Sequence, residues 1–316
     1  MRKNSKAGII ILLFVFIIFN CGLNLNTPSE PAGYALIYGV SIYGETPAYT
    51  FNLQYSDDDA ISMDQLLTAK GYSVTTRINA EATKAQLLAD LETLKTTVKT
   101  DDTVILYYSG HGGQYHDSVT GIKQVSDNAY SEWLLLRDSV DADKTILFEK
   151  AVYNDELAAL LRDIPSFKKI VIIDACNSGG FIGLSPEIDS IPPDYNTTTS
   201  TELKKIFQKS LSLYTNYPPV SGSGIPATEA IVFSASGRDE ESIETGLIGH
   251  GLFTYHFLET PSKADKNHDG YITLLESFNY ITGQMRKTWN TRLIIDNQYL
   301  PHISGGPIDF VLFKSD

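Results

Sequence analysis

The sequence predicts an α/β fold built around a mainly parallel β-sheet that carries helices on both faces. Three observations lead to this prediction. Short runs of strand-forming apolar residues alternate with segments whose apolar residues recur at helical spacing. The strand runs are apolar throughout, which is typical of strands buried on both faces. The chain has 316 residues, of which 42% are hydrophobic and 20% charged, so it can bury a core of the required size.

The predicted elements follow one another in regular order. Residues 34–40 (YALIYGV) form a first strand, and residues 57–70 begin with three aspartates and continue with the apolar spacing of a helix. Further strands are predicted at 72–78, 103–108, 169–175, 229–235 and 308–313, and further helices at 83–99, 154–164 and 251–259. Right-handed crossovers place the carboxyl ends of parallel strands at one edge of the sheet, and ligands bind beyond those ends.

Two glycine-rich motifs directly follow buried strands. SGHGG, with His111 at its centre, follows the strand at 103–108, and ACNSGG, with Cys176, follows the strand at 169–175. If these strands are neighbours, the imidazole and the thiol emerge together at one edge of the sheet. A histidine can take the proton of a cysteine, and the resulting thiolate attacks a carbonyl carbon. Backbone N–H groups of Gly112 and Cys176 are then the expected donors to the oxyanion.

Each motif also has a purely structural interpretation. A histidine between glycines is compatible with an exposed turn, and a buried cysteine behaves as a small apolar residue. The occurrence of both motifs at the ends of two parallel-type strands favours the catalytic interpretation.

The order of the motifs resembles that of the bacterial caspase-like cysteine peptidases, which are related to metacaspases. The similarity runs from Tyr34 to Glu259 through YALIYGV, DDDAISMDQLL, YYSGHGG, VIIDACNSGGF, SASGRDEESIE and GHGLFTYHFLE. It implies a caspase-like three-layer sandwich with a mainly parallel sheet. It also implies that His111 is the general base and acid and that Cys176 is the nucleophile.

The same resemblance implies which residues contact the P1 side chain, on the amino side of the cleaved bond. The matching positions are Ser109 and Asp174, with Asp239 as a third candidate. A carboxylate in this pocket favours arginine or lysine at P1, as in other proteases specific for basic residues. Two alternatives stay open: Arg238 can neutralise the pocket, and Asp174 can serve as a cap of the turn after its strand.

A long insertion separates the two halves of the predicted domain. Residues 184–226 are rich in proline, serine and threonine and include Lys204, Lys205 and Lys209. Loops of this length are uncommon unless they are functional or disordered. The corresponding region of caspase-like enzymes often holds a processing site, which implies self-cleavage near one of these lysines. A simple insertion is the alternative.

Residues 265–276 match the complete calcium-loop pattern D-x-[DN]-x-[DN]-G-x₅-E. Calcium requires several hard oxygen ligands, and glycine at the sixth position allows the loop to bend. The predicted Ca²⁺ ligands are Asp265, Asn267, Asp269, Tyr271, Thr273 and Glu276. The segment resembles a single EF-hand loop, and a polar turn is the alternative. The aspartates at 57–59 are a second candidate for calcium, although an acidic helix start explains them more simply.

The N-terminal residues predict export. Arg2, Lys3 and Lys6 precede an apolar run at 7–19, which suits a signal peptide and is short for a membrane span. Cys21 follows, and the arrangement resembles a bacterial lipoprotein signal, which implies lipid attachment at Cys21. A plain signal peptide or an uncleaved anchor is the alternative. The predicted organisation is a signal segment at 1–21, a flexible tether at 22–33 and a peptidase domain at 34–316.

The net charge argues against one class of partner. It is −13, whereas sequence-independent nucleic-acid binding requires a basic face. The sequence therefore predicts an exported cysteine endopeptidase, anchored on the periplasmic or surface side of a bacterial membrane, with protein or peptide substrates and one Ca²⁺. Two alternatives remain: a caspase-like binding lipoprotein without catalysis, and a legumain- or clostripain-like peptidase with a different P1 preference.

Overall fold

The computed structural model of the chain describes residues 32–44, 52–116, 130–141, 145–176, 178–181, 187–188, 206–208, 230–237, 240–289, 300–304 and 310–316. Its strands, in chain order, are β1 (Gly33–Gly39), β2 (Ser73–Ile78), β3 (Thr103–Ser109), β4 (Gly112–His116), β5 (Tyr130–Leu134), β6 (Val152–Tyr153), β7 (Lys168–Asp174), β8 (Glu187–Ile188), β9 (Ile206–Gln208), β10 (Ile231–Ser234), β11 (Ile243–Thr245), β12 (His250–Gly251), β13 (Tyr271–Thr273), β14 (His302–Ser304) and β15 (Val311–Lys314). Its α-helices are α1 (Ser56–Ala69), α2 (Lys84–Thr97), α3 (Asn154–Arg162), α4 (Leu252–Leu258), α5 (Thr260–Lys263) and α6 (Leu274–Gln284).

A seven-stranded sheet forms the centre of the fold. Its strand order is β2-β1-β3-β7-β10-β14-β8. The first five strands pair in parallel, and β14 and β8 extend the sheet with antiparallel pairing. The predicted mainly parallel α/β sheet is therefore confirmed.

Both faces of this sheet are buried, because alternate residues of each strand enter two different apolar clusters. In β3, Leu106 and Tyr108 face the cluster formed with α2 and α3, whereas Ile105 and Tyr107 face the cluster formed with α1, α4 and α6. Burial on both faces requires apolar residues at successive positions, which explains the continuous apolar runs. The result is three layers, with the sheet between two helical layers.

The C-terminal strand differs from the prediction in its pairing. A strand is predicted at 308–313 and is found as β15, but it does not pair with the main sheet. It pairs in antiparallel fashion with β13, which lies inside the predicted calcium loop. The backbone N–H of Ser315 also donates to the carbonyl of Gly270 at 3.0 Å. The chain end therefore supports this loop.

Several predictions fall outside the described residues. These are the signal segment, the lipidation site Cys21, most of the tether and of the insertion 184–226, Lys204, Lys205, Lys209, Arg238 and Asp239. Among the residues that are described, no helix is long and apolar enough to cross a membrane.

Asp90 on α2 joins the helix to the first two strands. It accepts hydrogen bonds from Tyr38 (2.6 Å), from Arg77 through two nitrogens (2.9 Å each) and from Gln86 (2.9 Å). Burial acts to raise the pKa of Asp90, but these three donors together hold the pKa below its ordinary value. Folding therefore stabilises the ionised form of the Asp90 side chain relative to the protonated form.

We expect this network to make stability depend on acid pH. A lowered pKa in the folded state gives stability that is present above the unfolded pKa and lost as the pH falls through the folded value. Asp90→Asn should lower the free energy of unfolding at pH 7 by about 1.5–3 kcal/mol, and this deficit should shrink toward about pH 3. Urea unfolding of the variant and of the wild type at pH 7 and at about pH 3 measures this difference in the free energy of unfolding. Asp163→Asn, which removes an exposed partner of Lys95, is the control and should change stability little at either pH. A deficit for Asp90→Asn that is the same at both pH values would contradict the prediction.

Candidate active site

The two glycine-rich motifs meet because β3 and β7 are parallel neighbours. Ser109, the last residue of β3, is the register partner of Asp174, the last residue of β7. The backbone N–H of Gly110 donates to the carbonyl of Asp174 at 3.3 Å. His111 and Cys176 each lie two residues beyond this paired position, at the same edge of the sheet. The expected adjacency of the two strands is therefore confirmed.

Gly112 brings the histidine loop against the cysteine loop. A Cβ atom at this position would lie 2.5 Å from the carbonyl oxygen of Cys176 and 3.0 Å from the Cβ of Ala175. No larger residue fits without a backbone shift, because real Cβ contacts are longer. This close approach explains why the motif requires glycine after His111.

His111 is held by two tyrosines. Its backbone N–H donates to the hydroxyl of Tyr43 at 2.9 Å, and its carbonyl accepts from the hydroxyl of Tyr108 at 2.8 Å. The Tyr43 ring also packs beside the imidazole, with ring centroids 4.9 Å apart. His111 is only 2% exposed. Its backbone is therefore fixed by buried hydrogen bonds, in contrast to an exposed turn.

The Cys176 sulfur contacts a residue far along the chain. The backbone N–H of Ser242, just before β11, donates to Sγ at 3.1 Å, and its carbonyl oxygen lies 3.3 Å from Sγ. Cys176 is buried, at 1% exposure. The N–H donor favours the thiolate, whereas the bond that the thiol donates to the Ser242 carbonyl favours the protonated form, so the two contacts hold the sulfur in place.

Asp174 lies beneath the cysteine loop as a fully buried carboxylate. It accepts from the Ser242 hydroxyl at 2.6 Å, and from the hydroxyl and backbone N–H of Thr254 at 2.6 and 3.2 Å.

Burial raises the pKa of the neighbouring Tyr107, and the negative charges of Asp59 and Asp174 raise it further. Tyr107 therefore stays protonated beside these carboxylates.

Asp59 is a second buried carboxylate at this edge, and it is not among the residues predicted from the sequence to form the active site. It accepts from the Ser109 hydroxyl at 2.8 Å and from the backbone N–H of Gly251 at 3.1 Å, and it lies 2.9 Å from Nδ1 of His250. One sequence signal points to it. Asp59 precedes the buried residues Met63 and Leu67 by four and eight positions, which places it on the buried face of α1.

Of the three residues predicted to line the P1 pocket, the structure describes Ser109 and Asp174. Ser109 and Asp174 lie side by side at the strand ends, both fully buried and both hydrogen-bonded to protein groups. Together with Asp59 they place two carboxylates below the edge where His111 and Cys176 emerge. Asp239 lies outside the described residues.

The loop at 265–276 is preformed by its own hydrogen bonds. Gly270 has a φ of +84°, a left-handed conformation that suits glycine, and its N–H donates to Oδ2 of Asp265 at 3.1 Å. Asp269 accepts from the N–H of Tyr271 at 2.9 Å. Glu276 closes the segment as part of a capping box with Thr273 at the start of α6.

One oxygen of this loop has no hydrogen-bond partner. Oδ1 of Asp265 is buried and unsatisfied within the described part of the chain, and a buried acceptor of this kind is costly. No cluster of three or more His, Cys, Asp or Glu side chains with metal-binding geometry occurs among the described residues. Asp265, Asp269 and Glu276 are three side chains of these types in one loop, so their carboxylates are not gathered in metal-binding geometry in the structure. The unsatisfied oxygen is the more specific observation, and it fits a cation ligand.

The comparison with protein families agrees with this geometry. The chain matches the family described as caspase domain, of the peptidase C14 type, over residues 32–305. The chain belongs to the caspase-domain family. This membership supports a cysteine peptidase that acts on proteins or peptides, and the match contains both glycine-rich motifs of the caspase domain.

Solved structures resemble this caspase domain in fold. Protein GSU0716 from Geobacter sulfurreducens is 19% identical, with a TM-score of 0.54, and the alignment covers 88% of this chain and 95% of that chain. Caspase-1 from Spodoptera frugiperda is 12% identical, with a TM-score of 0.48 and coverage of 87% and 89%. Identity this low in the first match shows a common fold alone. No protein with a curated description matches the chain.

Proposed function

We propose that the protein is a cysteine endopeptidase in which His111 and Cys176 form the catalytic dyad. The observation that carries the proposal is the close approach of Gly112 to the Cys176 carbonyl, which joins the two motif loops at the end of the paired strands β3 and β7. A binding protein has no chemical need for this combination of thiol and imidazole.

The proposed reaction is acyl transfer. His111 takes the proton of Cys176, and the N–H of Ser242 stabilises the thiolate. The thiolate attacks the carbonyl carbon of the substrate, and the N–H groups of Gly112 and Cys176 stabilise the oxyanion. His111 then protonates the leaving amine as the carbon–nitrogen bond breaks, and water hydrolyses the thioester and restores the thiol.

We propose arginine or lysine as the P1 residue. Support comes from the two buried carboxylates, Asp59 and Asp174, which make the base of this edge negative and accept hydrogen bonds from Ser109 and Ser242. Fluorogenic peptides that differ only in having Arg, Lys, Asn or Asp at P1 test the proposal. Cleavage of the basic substrates supports it, whereas preference for asparagine favours the legumain-like alternative. Failure to cleave any of them, in the presence of calcium, favours the binding protein.

We further propose that residues 265–276 bind one calcium ion. Four side chains would supply oxygens to the ion: those of Asp265, Asn267, Asp269 and Glu276. Tyr271 would contribute its backbone carbonyl, and Thr273 occupies the ninth position of the loop, which often binds the ion through a water molecule. The unsatisfied Oδ1 of Asp265 and the left-handed Gly270 support this assignment. In this position the ion would connect the start of α6 to the C-terminal strand β15.

Calcium should therefore stabilise the fold measurably. A ligand at 100 times its dissociation constant adds about 2.7 kcal/mol, which for a domain of this size raises the melting temperature by several degrees. Thermal unfolding with calcium and with EGTA measures the shift. Asp265→Ala should abolish the shift, whereas the exposed Asp101→Ala should retain it. An equal shift in the two variants would contradict the site.

The cellular location of the protein is a separate proposal. We propose export and lipid attachment at Cys21, on the periplasmic or surface side of the membrane, on the basis of the sequence at 1–21. Metabolic labelling with a fatty acid should mark the wild type and leave Cys21→Ala unlabelled. Labelling of both proteins, or of neither, would exclude the lipid at this cysteine.

A further inference from the structure

Residues 243–251 form a hairpin at the active-site edge. Its strands, β11 and β12, pair in antiparallel fashion, with Thr245 opposite His250. A tight turn joins them, in which the backbone N–H groups of Ile248 and Gly249 donate to the carbonyl of Thr245 at 3.2 and 2.9 Å. The turn and the strand pairing together fix the spacing between the two ends of the hairpin.

Each end of this hairpin contacts one of the two buried carboxylates. Ser242, directly before β11, donates its hydroxyl to Asp174 at 2.6 Å. On β12, Nδ1 of His250 lies 2.9 Å from Oδ1 of Asp59, and the backbone N–H of Gly251 donates to the same oxygen at 3.1 Å. The hairpin therefore sets the position of Asp59 relative to Asp174.

The hydrogen bond between His250 and Asp59 has a definite direction. An ionised carboxylate only accepts hydrogen bonds, so the histidine carries a hydrogen on Nδ1 and donates it. Asp59 is fully buried, whereas the His250 side chain is 20% exposed. A buried charge is costly unless it is hydrogen-bonded, and a donor to the charged form stabilises that form. His250 therefore stabilises the negative charge of Asp59 and holds the orientation of its carboxylate.

We infer that His250 is a positioning residue for P1 recognition, because its hydrogen bond holds the Asp59 carboxylate where the arginine or lysine of a substrate binds. The inference rests on the proposed function and adds a residue that determines its specificity. A guanidinium group pairs best with a carboxylate of fixed orientation, and charges interact more strongly in buried surroundings than in water. His250 acts through Asp59 and takes no part in acyl transfer, so its loss should weaken substrate binding and leave the chemical steps unchanged.

Two substrates that differ only at P1 measure this role with the full chain in the presence of calcium. One carries arginine, and the other carries citrulline, its uncharged isostere. His250→Leu removes the donor to Asp59. Because a hydrogen bond to a charged group is lost, we expect KM for the arginine substrate to rise by about tenfold or more. The kcat should stay within about twofold, and the ratio of kcat/KM for arginine to that for citrulline should fall by about tenfold or more.

His250→Asn is the variant that should restore recognition. The amide nitrogen of asparagine lies near the position of Nδ1 in histidine and carries hydrogens, so it can donate to Asp59. We expect this variant to keep an arginine-to-citrulline ratio close to that of the wild type. A variant that merely disturbed the packing of β12 would not be rescued in this way.

His256→Leu is the matched control. It removes another bond of the same type, between Nδ1 of His256 and Oε2 of Glu259 at 2.9 Å. Glu259 lies at the carboxyl end of α4, whereas Thr254, the partner of Asp174, lies in the first turn. The change should lower stability, because a buried hydrogen bond is lost, and should leave the arginine-to-citrulline ratio unaltered.

The wild type offers a second measurement, which does not depend on the folding of the leucine variant. Nitrogen NMR of protein labelled at its histidines, at about pH 9 and therefore above the range in which histidine ordinarily titrates, identifies the ring nitrogen that carries hydrogen. His250, assigned by the absence of its signal in His250→Asn, should carry the hydrogen on Nδ1. A hydrogen on Nε2 would overturn the inference, because the ring then could not donate to Asp59.

The contrary kinetic results separate the inference from the proposed function. A folded His250→Leu protein with the wild-type ratio, or an equal loss in His250→Leu and His250→Asn, overturns the inference and leaves the proposed function in place. A fall in kcat without a change in KM does the same, since His250 would then act on the chemical steps. A wild type that cleaves the arginine and citrulline substrates equally well rejects basic P1 recognition and the inference, but not the catalytic dyad. Absence of hydrolysis of every peptide rejects the proposed function, and the inference with it.

Discussion

Cys176→Ala is expected to reduce kcat/KM for peptide hydrolysis by about 10⁴-fold or more, because in the proposed mechanism the sulfur of Cys176 forms the covalent intermediate. His111→Ala should cause a comparable loss, since the thiol then lacks its proton acceptor. In the proposed mechanism the two residues act as one unit, so the double variant should be hardly worse than either single variant. Steady-state kinetics on the best substrate of the P1 panel measures all three.

Folding must be checked separately, because both residues are buried. The two variants should keep a cooperative thermal transition and a far-UV circular dichroism spectrum like that of the wild type. A folded Cys176→Ala protein that retains more than about a tenth of the wild-type kcat/KM would show that the nucleophile lies elsewhere.

Gly112→Ala is expected to have the second largest effect. The added methyl group would lie 2.5 Å from the Cys176 carbonyl oxygen, so one of the two motif loops must move. A displacement of about 1 Å in catalytic groups can cost about 10²-fold in rate, and the same shift would misplace an oxyanion donor. We therefore expect kcat to fall by about 10²-fold, with a much smaller change in KM.

Gly283→Ala is the matched control for this variant. Gly283 lies within α6, and a Cβ there would have no neighbour within 4 Å. The change should leave kcat unaltered and raise the free energy of unfolding by about 0.5–1 kcal/mol, because alanine favours helix. If Gly112→Ala had wild-type kcat, the close contact between the two loops would have no importance for catalysis.

The strands that carry the two motifs were predictable because each is a continuous apolar run. β3 and β7 needed such runs since both of their faces are covered, and the glycine motifs directly after them fixed the positions of His111 and Cys176. The meeting of the two motifs at one edge of the sheet therefore followed from local pattern together with the general geometry of parallel sheets.

The residues around His111 and Cys176 were harder to predict because they come from distant parts of the chain. Ser242 contacts the thiol and Thr254 holds Asp174, and neither segment shows this partnership in its local pattern. Asp59 was not recognisable as a site residue because two further aspartates precede it, and an acidic helix start accounts for all three. Short strands such as β9 and β14 have three residues each, too few for a recognisable alternation.

The hydrogen bonds of Asp174 also set an order of events during protein synthesis. Its partners Ser242 and Thr254 follow it by 68 and 80 residues. A ribosome that adds about 5–20 residues per second needs roughly 4–16 s to supply the second partner. A nascent chain that already contains the histidine and the cysteine therefore has a carboxylate without its donors beneath them. The hydrogen bonds of this carboxylate are therefore completed only when the last third of the polypeptide is being made.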